Sequence, residues 1–241
     1  MNNLQFKSAL DQLNIAVSDK NIEKFCLFEK LLLEWNEKIN LTAITDSFDI
    51  MTKHFLDSLL PLSVFDIPQN ARLIDVGTGA GFPGVPLKLA RNDISVTLLD
   101  SLNKRINFLT EVISELKLEK IQAIHARAEE FGRLTEYRET FDIAISRAVA
   151  ALDMLAEFCL PLVKVGGVFL AMKAEDSAEE IKTAMPIIKA LGGKIEDEIL
   201  TKIPHTDIVR KIIVIRKINQ TPAQYPRSMK KIKHDTRKPN K

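Results

Sequence analysis

The chain has 241 residues, of which 46% are hydrophobic and 27% charged, with a formal net charge of +2. That length suits one α/β domain with an extension, or one large domain, and the composition is that of a globular protein and not of a disordered or fibrous one. No basic start runs into a long apolar stretch, so no signal peptide is expected. The most apolar region, residues 143–170, is broken by Arg147, Asp153, Glu157 and Lys164, which argues against a membrane span.

Residues 1–17 suggest a short helix. In 21–39, Phe25, Phe28, Leu32, Trp35 and Ile39 recur at three- and four-residue steps, the apolar stripe of an amphipathic helix, with Ser18-Asp19 as N-cap candidates. A third helix is expected over 48–60, halted by Pro61. From residue 72, strand-like segments (72–76, 95–99, 121–125, 141–146, 168–172) alternate with helical ones (85–90, 105–116, 129–138, 150–163), which indicates a parallel sheet covered on both faces. A helix over 178–191 leads to strands at 194–200 and 211–216, joined by a short link that lets them pair antiparallel at one edge. The expected domains are a helical extension over 1–66, an α/β unit over 67–219 and a flexible tail over 220–241. Residues 225–241 hold seven Lys and Arg against one Asp, a net +6 that leaves the rest at −4. A mobile basic tail that tethers a polyanion without shaping the site is the expectation.

The chemistry concentrates in residues 73–84, Leu-Ile-Asp-Val-Gly-Thr-Gly-Ala-Gly-Phe-Pro-Gly. A strand that ends in Gly77, Gly79 and Gly81 and enters a helix lets a ligand approach bare backbone. Asp100 closes the next strand about twenty residues later, where a nucleotide-binding βαβ unit places the acid that accepts ribose hydroxyls. The dinucleotide pattern G-x-G-x-x-G puts its third glycine where this chain has Phe82, which disfavours a nicotinamide oxidoreductase. The run Asp75-x-Gly77-x-Gly79-x-Gly81 is instead similar to the first motif of S-adenosylmethionine-dependent methyltransferases. Asp75 suits either of two roles, tying down the loop through backbone N–H groups or reaching the cofactor amine through water.

Several further strings fall in one order. They are Trp35-Asn36-Glu37-Lys38-Ile39-Asn40-Leu41-Thr42, Lys53-His54-Phe55-Leu56-Asp57-Ser58-Leu59, Leu99-Asp100-Ser101-Leu102-Asn103-Lys104-Arg105, Arg127-Ala128-Glu129-Glu130 and Ser146-Arg147-Ala148-Val149-Ala150. Together they closely resemble the bacterial small-subunit (16S) ribosomal RNA methyltransferase G family, also called glucose-inhibited division protein B, over nearly the whole chain. The resemblance implies a Rossmann-like class I methyltransferase fold of α/β type, a seven-stranded mostly parallel sheet with an antiparallel edge hairpin. It also implies N7 methylation of one guanine in small-subunit ribosomal RNA, with S-adenosylmethionine as cofactor. A cytoplasmic protein acting as a monomer is expected. Carried over, Gly77 and Phe82 contact the cofactor, Ala128 and Glu129 lie beside its adenine, and Arg147 faces the site. Arg127, Arg147 and Lys173 suit RNA, joined by Arg227, Lys230 and Lys231 from the tail. Two positions depart from the family: Ala174 where glycine is frequent, and a lysine-rich stretch without the usual glycine after Tyr225-Pro226-Arg227.

Guanine N7 bears a lone pair and no proton, so orientation and electrostatics suffice and no catalytic base is expected. The fourth strand ends in Ser146-Arg147, not in the Asn/Asp-Pro-Pro-aromatic tetrapeptide of exocyclic-amine methyltransferases. Cys26 and Cys159 sit in apolar helix-like contexts and read as buried thiols in a reducing compartment. His54 suits contact with RNA or cofactor as well as helix packing, and His125 an edge position. No Cys/His/Asp grouping has metal-ligand spacing, so no metal is expected. The competing functions are a non-catalytic ribosome-binding factor and a small-molecule methyltransferase.

Overall fold

The computed structural model describes residues 2–235. Seven strands form one sheet: β1 (Arg72–Val76), β2 (Ser95–Asp100), β3 (Ile121–His125), β4 (Phe141–Arg147), β5 (Val163–Ala174), β6 (Gly193–Lys202) and β7 (Val209–Lys217), in the order β3-β2-β1-β4-β5-β7-β6. The first five pair parallel. β7 runs antiparallel to both neighbours, so the closing hairpin folds back with its second strand inside and β6 at the edge. β5 is longer than its apolar centre suggested, because the ladder to β4 continues through Gly166-Gly167 to Val163.

Ten α-helices cover the sheet among the described residues: α1 (Asn3–Gln12), α2 (Asp19–Asn36), α3 (Ser47–Asp49), α4 (Asp57–Val64), α5 (Gly84–Ala90), α6 (Asn103–Glu115), α7 (Ala128–Phe131), α8 (Leu152–Cys159), α9 (Ala178–Ala190) and α10 (Met229–Asp235). Alternation along β1 sends Leu73 to one face and Ile74 and Val76 to the other. Leu73 joins a core with Phe25, Phe28, Phe55 and Phe108, so the N-terminal helices share their packing with α5 and α6. Ile74 and Val76 join Leu155, Phe169, Ile188 and Ile232 on the opposite face. No described helix is long and apolar enough to cross a membrane.

Three expected elements differ. Pro61 does not halt the third helix: α3, a π-helical stretch (Ile50–Leu56) and α4 run on to Val64 with Pro61 inside. Proline lacks an N–H and its ring crowds the carbonyl four residues back, but the ladder resumes when Phe65 N–H donates to Pro61 O at 3.0 Å, and fully buried Leu59 and Leu60 offset the cost. The expected helix over 129–138 is only α7 followed by turns. The expected flexible tail begins too early, because Thr221 and Ile232 are buried and residues 229–235 form α10. The guanidinium of Arg138 ties the segment down, donating to the carbonyls of Thr221 (2.8 Å) and Tyr225 (2.8 Å). Arg237, Lys238 and Lys241 lie outside the described residues.

Candidate functional site

The glycine loop leaves β1 with φ of +73° at Gly77 and +61° at Gly79. A Cβ on Gly77 would lie 2.6 Å from Val149 Cγ2, and one on Gly79 would project into open space. The side of Gly81, by contrast, faces Val85 and Leu109, so it serves packing and does not line the cavity described below. Of the two roles open to Asp75, its contacts are those of the loop tie. Its Oδ2 accepts from Thr78 Oγ1 (2.6 Å) and Gly84 N–H (2.8 Å), it is fully buried, and it lines neither neighbouring cavity. Asp100, at the end of β2, accepts from Gly79 N–H (2.9 Å), Leu102 N–H (2.9 Å) and Arg105 Nη1 (3.2 Å).

Burial raises the Asp75 carboxyl from its ordinary 3.8 to about 6. A carboxyl whose folded pKa exceeds its unfolded one holds extra protons in the native state, so its contribution to stability falls as pH rises through this window. Relative to wild type, Asp75→Asn should therefore gain about 2–3 kcal/mol between pH 4 and pH 7. Denaturant titrations at the two pH values measure that gap, and parallel curves for the two proteins would refute it.

Loop and acid face a cavity of about 420 Å³, walled also by Thr42, His54, Phe82 and Arg147. It continues past Gly77, Asp100, Ser101 and Val149 into a slot of about 150 Å³ bordered by Arg127, Ala128, Glu129 and Met229. A nucleoside fits this shape: the bare backbone of Gly77 and Gly79 beside an acid at the junction, then a slot with apolar walls from Ala126, Val149 and Phe158. Cys159 borders neither space, and burial pushes its thiol well up. Among the described residues no group of side chains could hold a metal.

The wall opposite the loop is built by the π-helical stretch. Arg147 Nη1 reaches across to the carbonyls of Lys53 and His54 on this stretch (3.3 Å each). The same nitrogen bonds Asp57 Oδ2 at 2.8 Å, while Arg210 Nε takes Asp57 Oδ1 at 2.8 Å. One buried carboxylate thus joins the N-terminal extension to β4 and β7. Phe82 stacks on His54 (4.6 Å between centroids) and lies under the Arg147 guanidinium. His54 Nε2 meets Thr42 Oγ1 at 2.8 Å, and Nδ1 is buried with no partner among the described residues. Burial, with Arg147 nearby, lowers the imidazole to about 4, so it is neutral at pH 7.

Beyond His54, Arg147 and Ala148 lies a second chamber of about 510 Å³, where Lys53, Asp57, Lys173, Glu180 and Arg210 converge. Lys173 is committed here: its Nζ donates to Glu180 Oε1 (2.6 Å) and Ala150 O (2.7 Å). In the C-terminal segment, Arg227 grips buried Glu157 (2.7 Å) and Met229 walls the slot, while Lys230 and Lys231 are exposed. The segment beyond Pro226 was expected to stand apart from the site, yet Met229 borders the slot. Sequence reasoning also missed Thr42, Asp57, Arg105, Glu180 and Arg210. Asp57 had a signal, a lone acid in an apolar helical run; Arg210 had none, because its partner lies 153 residues away.

The family model described as rRNA small subunit methyltransferase G matches residues 21–202. The protein named ribosomal RNA small subunit methyltransferase G from Alkaliphilus oremlandii is 50% identical over 221 residues, 92% of each chain. Its namesake from Clostridium botulinum (strain Loch Maree / Type A3) is 47% identical, over 95% of this chain and 96% of the relative. Among solved structures, M. jannaschii TYW2 in complex with AdoMet superposes with a TM-score of 0.54 at 20% identity, over 73% of this chain and 80% of that one. A SAM-dependent methyltransferase from Aquifex aeolicus gives 0.52 at 16% identity, over 76% and 97%. These structural likenesses carry the class I methyltransferase fold; sequence identity over nearly full length carries more. The chain belongs to the rRNA small subunit methyltransferase G family and is a methyltransferase.

Proposed function

We propose that the protein methylates N7 of a specific guanine in small-subunit ribosomal RNA, taking the methyl group from S-adenosylmethionine. The observation that carries this reading is the pair of adjoining spaces, a glycine-walled nucleoside cavity and a charge-lined chamber, with His54, Arg147 and Ala148 common to both. Bound in the first, S-adenosylmethionine supplies an electrophilic sulfonium methyl. Gly77 and Gly79 would border it by backbone, Asp100 would meet its ribose, and Ala128, Glu129 and Met229 would enclose its adenine.

The chamber's cations suit a polyanionic substrate, which favours RNA over a small molecule. Phe82, stacked on His54, occupies the position that a dinucleotide loop gives to glycine, which disfavours a nicotinamide enzyme. A formed cofactor cavity likewise disfavours a purely structural ribosome-binding factor. His54 is poorly placed as a base, with one nitrogen on Thr42 and the other buried. N7 needs none, so the chain's contribution is to orient two reactants and exclude water.

Transfer of tritiated methyl from S-adenosylmethionine to small subunits, naked ribosomal RNA and total protein, with nucleoside analysis, tests the reading. The expected product is 7-methylguanosine in small-subunit RNA. The single-turnover rate should stay flat from pH 7 to pH 8.5, because no proton leaves N7 and both His54, lowered to about 4, and Asp75, raised to about 6, lie below that range. A methylated exocyclic amine, ribose or pyrimidine would overturn it.

A further inference from the structure

The second chamber holds two carboxylates in different states. Asp57 is 3% exposed and both of its oxygens are occupied, one by Arg147 and one by Arg210. Glu180, in the first turn of α9, uses only one. Its Oε1 accepts from Leu152 N–H and Lys173 Nζ, each at 2.6 Å, while Oε2 has no partner among the described residues. The side chain lines the chamber and stays 31% exposed. Two strong donors on one oxygen fix the plane of the carboxylate, so the other is presented in a set direction.

We propose that Glu180 selects the base: its Oε2 accepts from the N1–H and exocyclic N2–H groups on the Watson–Crick edge of the target guanine. The proposal deepens, and rests on, the guanine-N7 reading. An ionised carboxylate can only accept hydrogen bonds, and guanine presents two adjacent donors on that edge. Adenine would set its N1 lone pair against the same oxygen, leaving two acceptors facing each other without water, a desolvation cost that rejects the wrong base. N7 sits on the opposite edge of the purine. Because Glu180 borders the chamber and not the cofactor cavity, a base gripped there turns N7 away from α9, toward the wall shared with that cavity. Lys173 acts through Glu180, as a positioning residue.

The test compares kcat/KM on small-subunit RNA assembled with either guanosine or inosine at the mapped methylated nucleotide. Inosine keeps N1–H and N7 and lacks only the N2 amine. Wild-type enzyme should prefer guanosine about tenfold. In Glu180→Gln the amide oxygen can still take Leu152 and Lys173, while an NH₂ replaces the open acceptor, so the guanosine-to-inosine ratio should fall to about one. Each ratio is taken within one protein, so a general loss of activity cancels. Equal wild-type rates on the two RNAs, or an unchanged ratio in Glu180→Gln, overturn the assignment to Glu180 while 7-methylguanosine formation leaves the function standing. A wild-type product other than 7-methylguanosine overturns the function and this inference with it.

Discussion

A chain truncated after Pro226 should bind S-adenosylmethionine at least about tenfold more weakly than the full chain, and unfold more readily. Truncation removes Met229 from the wall of the slot and strips Ile232, 1% exposed, from the core beneath it. Losing one such side chain costs about 1.5–3 kcal/mol. It also leaves the Glu157 carboxylate, 1% exposed, without Arg227, and breaking a buried pair from one side costs about 3–5 kcal/mol. Calorimetric titration with S-adenosylmethionine and denaturant unfolding read the two losses separately. Met229→Ala, which keeps Arg227 and Ile232, isolates the wall and should weaken binding roughly fivefold. Reversing the exposed charges in Lys230→Glu/Lys231→Glu should leave cofactor affinity intact. A truncated protein with full affinity and stability would restore the picture of a detached basic tether.

Asp57→Asn should destabilise the protein by about 3 kcal/mol and abolish most methyl transfer. The substitution keeps shape and removes charge, leaving Arg147, 12% exposed, and Arg210, 28% exposed, without their shared counter-ion. The figure is at the lower end for a broken buried pair because Arg210 is partly solvated. Loss of Asp57 should also free Arg147 to swing from its place over Phe82, disturbing both spaces at once. Denaturant unfolding and single-turnover transfer at saturating S-adenosylmethionine are the measurements. A stability change below 1 kcal/mol with wild-type turnover would show that the two arginines hold their positions without it.

The strands and the glycine loop were legible because they depend on local rules. Apolar periodicity marked all seven strands, and the alternating glycines and the acid at the next strand end do lie together on one cavity. Asp75 was read only halfway: its type and spacing announce a role at the loop, but its full burial decides between tying backbone and touching ligand. Arg210 works through a partner 153 residues away, brought to it by the sheet, so no window of sequence contains the pair. The C-terminal segment misled because its composition is that of a solvated tail. The few residues that anchor it, Thr221, Arg227 and Ile232, are too sparse to form an apolar stripe, and their partners lie far back in the chain.

The place of β7 has a consequence for the order of assembly. During synthesis β6 emerges first, yet its only sheet neighbour is β7, which itself must enter between β6 and β5. Until the chain has grown through Lys217, β5 is an open edge and β6 has nothing to pair with. Long-range pairing of this kind is formed late, because loop closure has to precede its reward. Arg210 rides in on that same strand and completes the bond to Asp57 near the other end of the chain. Closure of the sheet and completion of the charged chamber are thus one event, and a nascent or partly folded chain does not present the finished site to RNA.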